Sequence, residues 1–87
     1  MNRLYILTVG SLEIRGLISS GELPELVRVF YGASAQRGAT ADYLGEGKFL
    51  AVKKEVRLTL TIGEYHKSMP SRMLVEVLEE VMDQYFL

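Results

Sequence analysis

Apolar side chains recur along this chain with a period of two in some stretches and near three and a half in others, and the alternation predicts an order of elements. Arg3 to Val9 is rich in aliphatic, aromatic and β-branched residues on both alternating faces, the pattern of an interior strand covered on two sides. Gly10-Ser11 then suits a two-residue turn with glycine in the first central position, and Leu12-Glu13-Ile14-Arg15 alternates as a half-exposed strand. This register opposes Val9 to Leu12. It gathers Tyr5, Leu7, Val9, Leu12 and Ile14 on one face and sets Glu13 and Arg15 beside Leu4 and Ile6 on the other.

Ser19-Ser20-Gly21 followed by Glu22-Leu23-Pro24-Glu25 carries capping hydroxyls, first-turn acids and an early proline, which predicts a helix from about residue 22. Its apolar side holds Leu23, Leu26, Val27, Phe30, Tyr31 and Ala33. Ala33 to Gly47 is dominated by Gly, Ala, Ser and Thr and is expected to be a fraying helix end and a loop with a movable tip. Around Gly45-Glu46-Gly47 a three-residue hairpin loop would oppose Tyr43 to Phe49.

From Leu50 to Ile62 the even positions are apolar apart from Lys54, whereas Lys53, Glu55, Arg57, Thr59 and Thr61 are polar. An unbroken strand from Lys48 to Ile62 would extend roughly 50 Å, too long for so small a body, so a break near Lys53-Lys54-Glu55 is expected. A three-residue turn there preserves the phase and keeps Leu50 and Val52 on the face of Leu58, Leu60 and Ile62. It also sets Phe49 with Lys53 and Arg57.

The segment from Pro70 to Leu87 predicts a closing helix with proline at its first position. Its apolar residues fill an arc of roughly 180°, where packing on one sheet needs about 100°. The surplus predicts an intermolecular contact through Leu74, Val75, Leu78, Met82, Tyr85, Phe86 and Leu87. Together these elements predict one α+β domain over residues 1–87. It is a two-layer sandwich in the order ββαββ(β)α, with an antiparallel sheet of four to five strands and two helices on one face.

Eighty-seven residues make a domain that is marginal alone, and self-association would add burial. With no cysteine, disulfides, thiolate metal sites and thiol nucleophiles are excluded. The apolar stretch near the first residue is too short for a signal-peptide core or a membrane span, so a cytoplasmic protein is expected. Net charge is −1, yet residues 48–72 carry six cations against two acids and residues 73–87 carry four acids unopposed. That asymmetry can orient assembly or simply keep a surface solvated.

His66 lies among Glu64, Tyr65 and Ser68, but consecutive residues of one connection do not converge as catalytic groups from different elements do. Neither catalysis nor a metal or cofactor site is expected. Glu76, Glu79, Glu80 and Asp83 read as a solvated helix face, and Ser19-Ser20-Gly21 as a cap. The expected role is a non-enzymatic module that binds itself and another protein as an adaptor or inhibitor. The alternative is RNA or single-stranded DNA binding on a basic sheet surface formed by Lys48, Phe49, Lys53 and Arg57.

Overall fold

The computed structural model describes residues 2–64 and 74–87. Strands β1 (Asn2–Val9) and β2 (Leu12–Ser19) are followed by a 3-10 turn (Ser20–Glu22) and helix α1 (Leu23–Gln36). Strands β3 (Thr40–Gly45), β4 (Lys48–Lys53) and β5 (Val56–Glu64) come next, and helix α2 (Leu74–Tyr85) closes the order. Side chains of α2 are described from Glu76 onward. The five strands form one antiparallel sheet in the order β2-β1-β5-β4-β3, so β1 is interior, as its two-sided apolarity predicts. The expected α+β layout with a five-stranded sheet and two helices is present.

Pairing decides which side of each strand is buried. Val9 opposes Leu12 across Gly10-Ser11, and Tyr5, Leu7 and Val9 oppose Ile62, Leu60 and Leu58. All of these β1 and β5 residues are buried, and so are Ile18, Phe49 and Ala51 on the same side. Leu26, Phe30 and Ala33 of α1 and Leu78, Val81 and Met82 of α2 complete this single core, together with Phe86 just beyond α2. Both helices therefore cover one face. Leu4, Ile6, Leu17, Leu50 and Val52 point the other way and stay half-exposed outside the core.

Three expectations about the elements are corrected. The break in the long alternating stretch is a two-residue turn, Lys54-Glu55, with Lys53 opposite Val56. A two-residue turn inverts the phase, so in β4 the odd residues Phe49 and Ala51 face the core while Leu50 and Val52 face outward. Lys54 occupies the turn, as its position in the pattern suggests, but with φ +56° in the place glycine holds at Gly10. Lys54→Gly should therefore stabilise the domain by about 1 kcal/mol, since a left-handed backbone costs an ordinary residue roughly that much. An unchanged midpoint in chemical denaturation would contradict this.

The stretch from Ala33 to Gly47 is not a long loop. The helix runs to Gln36 and ends tightly: the Gly38 N–H donates to Ala35 O at 3.1 Å and the Ala39 N–H to Ser34 O at 2.9 Å. This double bond pattern satisfies carbonyls that a fraying end would leave to water. Ser34, fully buried, returns its hydroxyl to Phe30 O at 2.7 Å. β3 then starts at Thr40 and opposes Tyr43 to Phe49 as expected, but the turn is Glu46-Gly47 and a bulge at Leu44 absorbs the extra residue.

Candidate functional site

The residues expected to form an interface through the terminal helix divide into different surroundings. Leu78 and Met82 are fully buried and Phe86 is 4% exposed, all packed within this chain's own core. They are corrected from interface to core: these three residues share one buried cluster with sheet residues and with Leu26, Phe30 and Ala33 of α1. Tyr85 is half-buried against that core, whereas Leu87 is 88% exposed. Leu74 and Val75 open α2, and their side chains lie outside the description, as do Pro70 and His66. Asp83, one of the acids of α2, pairs with Arg37 at 2.8 Å, tying the end of α1 to α2.

The basic surface also divides. Phe49 is 9% exposed and faces the core, so it cannot stack an unpaired base. Lys53 lies toward the helix side of β4, and Arg57 projects from the opposite side of β5. Lys48 shares the outer side with Arg57, but Phe49 and Lys53 do not. The inverted phase at Lys54-Glu55 thus separates the four residues that the alternating pattern had grouped.

Two features remain on the surface. The first is the uncovered sheet face. Leu4, Ile6 and Leu17 occupy one corner, Leu50 and Val52 lie toward the diagonal corner, and Thr8, Thr59 and Thr61 lie between them. Its charged residues are Glu13 and Arg15, which pair with each other at 2.7 Å, and Asp42, Lys48 and Arg57. Only one corner of this face, Leu4 and Ile6 beside Glu13 and Arg15, is legible in the sequence, because a three-residue turn at Lys53-Lys54-Glu55 would have put Leu50 and Val52 inward.

The second is a cavity of about 440 Å³ between α1 and the β3–β4 turn. Leu23, Val27 and Tyr31 descend from α1, Tyr43, Gly47 and Phe49 come from the hairpin, and Ile62 and Arg3 complete the described lining. Phe49 is the hub of its aromatic wall, with ring centroids 5.7 Å from Phe30, 6.3 Å from Tyr31 and 4.8 Å from Tyr43. Tyr43 is 55% exposed, and its hydroxyl accepts the Gly47 N–H at 3.1 Å. The Arg3 Nε donates to Gly63 O at 3.2 Å. No sequence spacing announces this cavity, since its lining comes from five elements and a turn.

Among the described residues no group of three or more His, Asp or Glu could hold a metal ion, and no helix is long and apolar enough to cross a membrane. No protein-family model, curated protein or solved structure gives a significant match to the chain. Function is therefore read from the geometry of the two surfaces.

Proposed function

We propose that this chain is a non-enzymatic binding module that pairs with a second copy of itself through the open sheet face and, so paired, docks on another protein as an adaptor or inhibitor. The observation that carries the reading is the set of five aliphatic residues, Leu4, Ile6, Leu17, Leu50 and Val52, half-exposed on a sheet whose other face bears both helices. A sheet with an apolar side gains by stacking it against another layer, and no described element supplies one. A second copy suits the charge of this face. Glu13 and Arg15 neutralise each other, and Asp42 opposes Lys48 and Arg57, so two copies meet with little net repulsion. A small domain that buries little surface also gains proportionately from pairing.

Sedimentation at about 10–100 µM tests this. The unmodified chain should run as a dimer, and Ile6→Lys should yield a folded monomer, because a half-exposed residue is replaced on a face that only the partner covers. A strict monomer throughout that range would contradict the reading. Nucleic-acid binding is the weaker alternative, since among the described residues no aromatic side chain joins Lys48 and Arg57 on the outer face.

A further inference from the structure

We infer that the cavity beneath α1 is a binding site for a small organic acid, one carboxylate on an aromatic or branched aliphatic body. Arg3 points to the acid. It lies on the core side of β1, in line with Tyr5 and Leu7, where a cation is costly without a counter-charge. Glu64 is its direct cross-strand neighbour, yet among the described residues Arg3 forms no ion pair. The Nε bond to Gly63 O at 3.2 Å fixes the plane of the guanidinium, leaving its two terminal nitrogens as the fork that suits a carboxylate.

The walls specify the rest. Apart from Arg3 the described lining side chains are aliphatic or aromatic, from Leu23, Val27 and Ile62 to the rings of Tyr31, Tyr43 and Phe49. A single guanidinium matches one negative charge and would leave a phosphate dianion half-neutralised in apolar surroundings. The volume, about 440 Å³, lies in the lower part of the range of small-molecule sites, roughly 300–1,000 Å³. That capacity favours a free acid over a macromolecule.

The probes are 4-phenylbutanoate and its neutral counterpart 4-phenylbutan-1-ol, titrated into the isotope-labelled full chain and followed by amide chemical shifts. The carboxylate should bind about tenfold more tightly than the alcohol, with shifts at Gly47, Gly63 and Tyr31. Arg3→Gln should bring the carboxylate to the affinity of the alcohol and leave the alcohol unchanged. Arg3→Lys, which keeps the charge without the fork, should retain part of the preference. Spectra of both variants without probe establish that they are folded. The inference is overturned by equal affinities in the unmodified chain, by absence of shifts from either probe at about 10 mM, or by shifts confined to the outer sheet face.

Discussion

Phe86→Asp is expected to unfold the domain, not to separate one subunit from another. Phe86 is 4% exposed and continues the terminal helix, its N–H donating to Met82 O at 2.8 Å. It shares one core with Leu78, Val81, Met82, Leu26 and Phe30. Removing a buried aromatic side chain costs about 3–5 kcal/mol, and a carboxylate left there without a partner adds a desolvation penalty. At roughly 0.05–0.15 kcal/mol per residue, a domain of this length has only about 4–13 kcal/mol in total. Thermal circular dichroism should show the transition lowered by at least about 12 °C, or lost. A variant with unchanged melting and altered sedimentation would return Phe86 to an interface.

The second large effect is expected at Gly47, where the β3–β4 turn is pressed against β5. Its φ is +76°, and an added Cβ would lie 2.2 Å from Ile62 O. The obstacle is backbone and cannot rotate away. The same two residues are joined by a hydrogen bond from the Ile62 N–H to Gly47 O at 2.8 Å, so relief requires pulling the turn off β5 and breaking that bond. Left-handed strain and the lost bond together put Gly47→Ala at about 2–4 kcal/mol. Gly10→Ala is the control: φ is +57° but no atom lies within 4 Å, so only the conformational cost of about 1 kcal/mol remains. Equal midpoints for the two variants in urea would show that the close approach to Ile62 carries no energy.

The elements were largely legible because each has a local signal. The two-sided apolarity of Arg3 to Val9, the Gly10-Ser11 turn and the 3.6-residue pattern of Leu23 to Ala33 depend on neighbours in sequence. Lys54 was recognisable as a turn residue because it interrupts an apolar series. What local pattern could not supply was the length of that turn. Two residues or three fit the same text, yet the choice moves Phe49 into the core and Leu50 and Val52 out of it. A one-residue difference thus split the expected basic and aromatic surface and added Leu50 and Val52 to the outer sheet face.

The terminal helix illustrates a different limit. The width of an apolar arc reports how much surface is covered, not whose surface covers it. Leu78 and Met82 lie in one buried core with residues of the sheet and of α1, a burial within the chain that periodicity cannot distinguish from burial by a partner. The cavity was illegible for a related reason. Arg3 and Tyr43 are 40 positions apart, and only the sheet order β1-β5-β4-β3 brings them to one opening.

Pairing through the open sheet face is tested most directly by isotope-filtered nuclear Overhauser spectroscopy on an equal mixture of labelled and unlabelled chains. Cross-peaks between copies are expected at the methyl groups of Leu4, Ile6, Leu17, Leu50 and Val52. Their absence, or inter-chain cross-peaks at Leu78, Met82 and Phe86 in their place, would contradict it.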